Sequence, residues 1–273
     1  MDIVPAALED INTVLELQQI SQNPEYLSNM IVITSRKENN YNWLTSNPKG
    51  YKEWFEKINK PFLEYNRSVK LQMMFESNRG VYESIEEIPA DMERSSLQRV
   101  IQILKRHRDV YFSKIGKEKF KPISAILTTI TAMIAENAPK NYDAFELLRY
   151  VIDEFEIYAE RQTLNEVQFS ERYINKMLIN KNEDGWQIIN PVNPKDNLAD
   201  SWNENAENAK YFFSWIKRVR DDYIKSFDKD DELFVVALEN SMGNSFVTKN
   251  FDVESYRKKH PIEISHGAKP WKN

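Results

Sequence analysis

Apolar residues recur at helical spacing through most of this chain and at strand-like spacing only near its start. Leu97, Val100, Ile101 and Leu104 form an i, i+3, i+4, i+7 stripe. Ser95 and Gln98 stand ahead of it at capping-box spacing. The opposite stripe, Gln98, Gln102, Lys105 and Asp109, is polar throughout. Pro122 opens a second helical pattern, carried by Ile123, Ile126, Leu127, Ile130, Met133 and Ile134. Phe145, Leu148, Ile152 and Phe155 predict a third helix, and Phe212, Trp215, Ile216, Val219 and Tyr223 a later one. Further upstream, Asn47-Pro48-Lys49-Gly50 is a turn opening a helix whose buried side is Tyr51, Trp54, Phe55, Ile58 and Phe62. Met1 to Ala7 is expected to hold a short strand closed by Pro5. Two more strands, Met30–Thr34 and Tyr41–Leu44, flank the polar turn at 37–40. Asn180 to Asn205, rich in Asn, Asp and Pro, reads as a long loop. A small β-rich opening followed by helices defines an α+β protein.

Composition narrows the chemistry. The 273 residues are 41% hydrophobic and 12% aromatic, which is enough for a packed globule. There is no cysteine, so disulfides, thiolate metal sites and thiol nucleophiles are excluded, and a reducing cytoplasm is the expected setting. Three histidines leave little for a histidine-based metal site. No apolar run approaches the roughly 20 residues that span a bilayer, and the acidic start (Asp2, Glu9, Asp10) does not resemble a secretion signal. Net charge is −5, yet Arg94 to Lys121 holds nine Lys or Arg against two Asp or Glu. That window carries +7, and everything outside it −12. A basic island in an acidic chain suits a polyphosphate ligand, although a solvated basic helix face has the same composition.

Five features are candidates for chemistry, and each has a plainer reading. Asp2, a carboxylate on a strand lip, is placed to ligate Mg²⁺, an ion that prefers oxygen donors and shares them with substrate phosphates; a solvated terminal charge is the alternative. Lys105, mid-helix on the polar stripe, can donate to phosphate oxygens or simply face water. Ser124, just after Pro122, can cap its helix or offer its hydroxyl to a ligand. His107 and Arg108 continue the apolar side of their helix, so a packed, hydrogen-bonded histidine is expected there. The loop Asn190 to Trp202 reads as a structural staple that pins itself by side-chain-to-backbone bonds and buries Leu198 and Trp202.

Taken in order, these pieces resemble the bacterial CD-NTases, the cGAS/DncV-like nucleotidyltransferases of CBASS anti-phage systems and relatives of oligoadenylate synthase. The residues carrying the resemblance are Asp2-Ile3-Val4-Pro5-Ala6, Ser46 through Phe55, Leu97 through Phe112, Lys121-Pro122-Ile123-Ser124 with Thr128-Thr129, Asn190 through Trp202, and Lys269-Pro270-Trp271. The resemblance implies a nucleotidyltransferase palm facing an oligoadenylate-synthase-like helical lobe, with nucleoside triphosphates bound between them. It divides the chain into a palm remainder with its hairpin and helix (1–92), the helical lobe (93–250) and a tail (251–273). In such enzymes three carboxylates hold two Mg²⁺ or Mn²⁺ ions, and Asp2 matches the third. Lys105 matches a helical lysine that meets the triphosphate, and Ser124 falls where the lobe approaches the donor nucleotide.

The departure from the family is specific. The first two carboxylates follow a Gly-Ser turn in the family, and none of the six glycines here precedes a serine. One carboxylate does not hold two metals, so the chain by itself is expected to be inactive. Its first half of the palm is expected to be missing from this sequence, to come from a partner chain, or to have been lost from a silent homologue, and the first reading is preferred. The expected role is the C-terminal portion of a cyclic di- or trinucleotide synthase. The alternative is a non-catalytic nucleotide-binding or oligomerising homologue. Direct nucleic-acid binding fits less well, because the net charge is negative and the aromatics are not clustered into a stacking platform.

Overall fold

The computed structural model describes residues 5–37, 40–77, 94–225 and 231–250. Their order is β1 (Ala6–Leu8), α1 (Ile11–Ile20), a 3₁₀ turn (Pro24–Asn29), β2 (Ile31–Lys37), β3 (Asn40–Ser46) and the long α2 (Pro48–Ser77). The helical part continues with α3 (Ser96–Lys114), α4 (Ser124–Glu136), α5 (Ala144–Ala159) and α6 (Glu166–Arg172). Two small ribbons come next, β4 (Asn180–Asn182) with β5 (Gly185–Gln187) and β6 (Ile189–Asn190) with β7 (Asn193–Asn197). Helices α7 (Asp200–Glu204) and α8 (Glu207–Val219) lead into a π-helical turn over Arg220–Ile224. Helices α9 (Asp231–Met242) and α10 (Asn244–Asn250) complete the described chain. The architecture is α+β and mainly helical, as the periodicity predicts.

The first sheet is antiparallel in the order β1-β2-β3, with Ala7 opposite Val32 and Val32 opposite Thr45. The first described strand follows Pro5, while the strand expected ahead of that proline lies outside the described residues. Proline lacks an N–H but keeps its carbonyl, and the Pro5 carbonyl accepts from the Thr34 N–H at 3.4 Å, which leads the chain into the ladder. Residues 1–4 and the tail 251–273, with its Lys269-Pro270-Trp271, lie outside the described residues. Helix α1 has no counterpart in the apolar pattern; Asp10 caps it, accepting from the Asn12 and Thr13 amides at 2.9 and 3.3 Å. Val14 and Leu17 of α1 pack with Leu27 and Met30 in a small separate core.

The main core joins α2 to the helical part. Trp54, Ile58 and Phe62 are buried together with Leu97, Val100, Ile101 and Leu104, so the predicted stripes meet. The capping box at Ser95 and Gln98 forms reciprocally, and Ser95 Oγ also bonds the buried Asn59 Oδ1. The stretch 180–205 contains more regular structure than a loop, and within it the staple expected over Asn190 to Trp202 forms. Asn197 accepts from the Ile188 and Ala199 amides and donates to the Trp186 carbonyl, while Leu198 and Trp202 are buried. Asparagine here replaces backbone pairing, which is why a segment with so few ladder bonds is fixed.

That staple is tied to the opening of the chain. Asn47 is buried and donates to the carbonyls of Tyr26 (2.9 Å) and Val192 (3.0 Å), while its Oδ1 accepts from the Gly50 amide at 3.0 Å. Asn193 donates to the Thr45 carbonyl at 3.1 Å, and Asn23 to that of Pro191 at 3.0 Å. The β-rich opening therefore takes its position from asparagine side chains as much as from apolar packing.

Candidate functional site

Most of the basic island has a structural occupation. Arg106 donates to the Met242 carbonyl (2.8 Å) and Lys114 to that of Asn240 (2.6 Å), so both neutralise the carbonyl end of α9. Lys117 and Lys119 lie over the rings of Tyr211 and Phe120. Arg94 donates to Gln102 at 2.8 Å. Lys121 pairs with Asp109 at 3.2 Å. Two members, Arg99 and Lys105, have no hydrogen bond or ion pair among the described residues. Arg99 is exposed, whereas Lys105 is half-buried. Burial first, and the nearby Arg108 charge second, hold the Lys105 amine below the usual lysine pKa. A half-desolvated ammonium without a counterion gains most from an arriving anion.

Arg108, one turn after Lys105 on α3 and close enough for its charge to act on that amine, reaches Ser124. It is 6% exposed and donates through Nε (3.0 Å) and NH2 (2.8 Å) to Asp109 Oδ1. Its NH1 donates to the Pro122 carbonyl (3.0 Å) and to Ser124 Oγ (3.2 Å). Burial by itself raises the Asp109 pKa, but the hydrogen bonds and charges of Arg108 and Lys121 outweigh it and hold the carboxyl below its ordinary range. Ser124 begins α4 and is exposed, and the N-cap position belongs to Ile123, which offers no side-chain bond. The capping reading of Ser124 is therefore corrected: its hydroxyl serves Arg108, and the first turn of α4 lacks a side-chain cap. The helix also starts two residues later than Pro122, and Ile123 is exposed instead of buried. Thr129, one turn further on, is buried and shares a 2.8 Å hydrogen bond with Tyr51 of α2.

His107 has the packed role expected of it. It is 1% exposed. The Trp215 indole N–H donates to His107 Nδ1 at 2.9 Å, so Nδ1 accepts and the proton resides on Nε2, which donates to Asp222 Oδ2 at 3.1 Å. Arg218 holds the same carboxylate from Nε (2.9 Å) and NH2 (2.8 Å). A second ring proton would point at the indole N–H. Burial lowers the His107 pKa, and the Asp222 bond only partly opposes this. The unfolded chain therefore binds a proton near pH 6.5 that the folded chain refuses. Stability should be fully present above that pH and fall as pH drops through it. Thermal unfolding at pH 7.5, 6.5 and 5.5 should show that decline, and it should flatten in His107→Gln.

Asp2 lies outside the described residues. Among the described residues no three His, Asp or Glu side chains gather to hold a metal ion. They do not supply the donor set of a two-metal carboxylate site, so no catalytic step through a metal is derived from them. Among them, too, no helix is long and apolar enough to cross a membrane.

No protein-family model matches the chain. It is 29% identical over 201 residues to a c-di-GMP synthase of Roseivirga ehrenbergii, an alignment covering 72% of this chain and 43% of that protein. The likeness supports a relationship to cyclic-dinucleotide synthases. The chain spans less than half the length of the relative it matches.

Proposed function

We propose that this chain is the phosphate-binding helical lobe, with part of the palm, of a cyclic-oligonucleotide synthase of the CD-NTase type that works in bacterial anti-phage defence. The observation that carries this reading is Lys105, a half-buried amine with no counterion among the described residues, next to a buried arginine that reaches Ser124. The likeness to a c-di-GMP synthase supports it independently. Lys105 and Ser124 then face the phosphates of a nucleoside triphosphate, with Arg108 behind them. The carboxylates for Mg²⁺ or Mn²⁺ would be Asp2 together with a pair from a further palm segment, in the same polypeptide or in a partner chain, and the cytoplasm is the compartment of such an enzyme.

The surface suits an additional segment. All three residues of β1 are exposed, with Leu8 at 82%. Ile11, Leu15 and Ile20 of α1 and Trp43 and Leu44 of β3 are exposed as well. So much apolar surface around one small sheet is a docking face more than a finished exterior.

The chain alone should bind nucleoside triphosphates and not polymerise them. Calorimetry should show Lys105→Ala weakening GTP binding by about 1.5–3 kcal/mol, the range for a hydrogen bond to a charged group. Helicity should persist, because alanine favours helix. Equal GTP affinity for both proteins would return Lys105 to a solvated face and remove the reading. Cyclic or linear oligonucleotides made by the chain alone from NTPs and Mg²⁺ would refute its inactivity. Fusion to the uncovered part of the Roseivirga relative should restore synthesis, and Asp2→Asn should abolish it. A fusion that binds GTP normally but never synthesises would favour the non-catalytic alternative.

A further inference from the structure

We propose that Arg108 is the positioning residue of this site, holding the Ser124 hydroxyl by a lone pair so that its proton is presented to a ligand phosphate oxygen. This role rests on the functional reading above and adds to it a specific division of labour.

The hydrogen-bond inventory supports it. A guanidinium has five N–H donors and no acceptor. Four of those of Arg108 are engaged, two by Asp109 Oδ1, one by the Pro122 carbonyl and one by Ser124 Oγ. At 6% exposure, with its fork pointing at these partners, Arg108 has little left to offer a triphosphate directly. Ser124 is different. Because arginine accepts nothing, the serine oxygen must be the acceptor in their bond, and its own O–H remains to be placed. No acceptor for that hydrogen occurs among the described residues. Ser124 is the first residue of α4 and Ile123 its N-cap, so no backbone amide holds the serine oxygen. Arg108 NH1 therefore fixes this oxygen from α3 and leaves the hydroxyl proton of an exposed serine free to be donated. Lys105 lies one turn before Arg108 on α3, so an ammonium and a hydroxyl donor flank the same buried guanidinium. Lysine at position 108 would keep the charge but not the planar fork that spans Asp109, Pro122 and Ser124 together.

The test is a double-mutant cycle on the full chain, with GTP and inorganic tripolyphosphate as probes and thermal unfolding measured in parallel. Ser124→Ala changes an exposed side chain and should leave the melting temperature near the parent value, while both probes bind roughly tenfold more weakly, as for one lost bond to a charged group. Arg108→Lys should lower affinity by a similar factor despite retaining the charge. The double variant should be no weaker than Arg108→Lys alone, because the hydroxyl is already misplaced. Multiplicative losses, or unchanged affinity in Ser124→Ala, would overturn the positioning role while leaving the nucleotide-binding reading intact. If Arg108→Lys fails to fold, Ser124→Ala still decides. Absence of any binding by the parent chain would overturn both this role and the functional reading beneath it.

Discussion

Gly50→Ala should destabilise the protein by about 2–4 kcal/mol, against the usual sign for glycine-to-alanine in a helix. In an exposed helix interior the exchange gains roughly 1 kcal/mol. Here an added Cβ would sit 2.5 and 2.6 Å from the Asn47 amide atoms and nearer still to the Tyr26 carbonyl oxygen. Asn47 is the buried link that holds both the Tyr26 and Val192 carbonyls. Overpacking costs about 1–3 kcal/mol, and each buried carbonyl left without its donor adds about 1–3 more. The clash therefore outweighs the propensity gain. For a chain of this size the melting temperature should fall by roughly 5–15 °C. A variant that melts at or above the parent temperature would show that the Asn47 link is not rigid.

Asp222→Ala is expected to have a comparable effect from a different cause. The carboxylate accepts from His107 and twice from Arg218. Removing it strands the His107 Nε2–H in the core, with its other nitrogen still committed to Trp215, at about 1–3 kcal/mol for an orphaned buried group. Breaking a buried ion pair costs about 3–5 kcal/mol, but the Arg218 side chain is 51% exposed and rehydrates. The total should therefore be about 2–4 kcal/mol, read from urea unfolding at pH 7.5. Asp222→Asn keeps one acceptor and should lose less. Near-parent stability in Asp222→Ala would mean that the network contributes geometry without energy.

Local signals and distant pairings divide what is legible in the chain. Ser95, Gln98 and the Leu97–Leu104 stripe describe α3 well, because a cap and a 3.6-residue period are properties of neighbours. The same holds for α2 and α8, and for α5 except at Phe145, which spacing puts on the stripe but which is exposed, while Leu147, Val151 and Tyr158 are buried beside Leu148, Ile152 and Phe155. Helix α1 escapes the pattern although Asp10 is there to cap it, since its apolar side is short and Ile11, Leu15 and Ile20 are exposed. The short ribbons within 180–197 are not readable from spacing, because asparagine side chains supply bonds that no periodicity encodes.

The candidate site divides in the same way. Residue order and type were enough for an α+β chain with a basic α3, a packed His107, and Lys105 and Ser124 as residues of interest. Which charges stay without a partner was settled by tertiary packing, because Arg106 and Lys114 found carbonyls across the fold and Lys121 met Asp109, while Lys105 found no such partner among the described residues. Packing also joined Arg108 to Ser124 across 16 positions and His107 to Asp222 across 115. A residue's type states which hydrogen bonds it can make; which of them it makes depends on the groups that the packing of distant helices brings within reach.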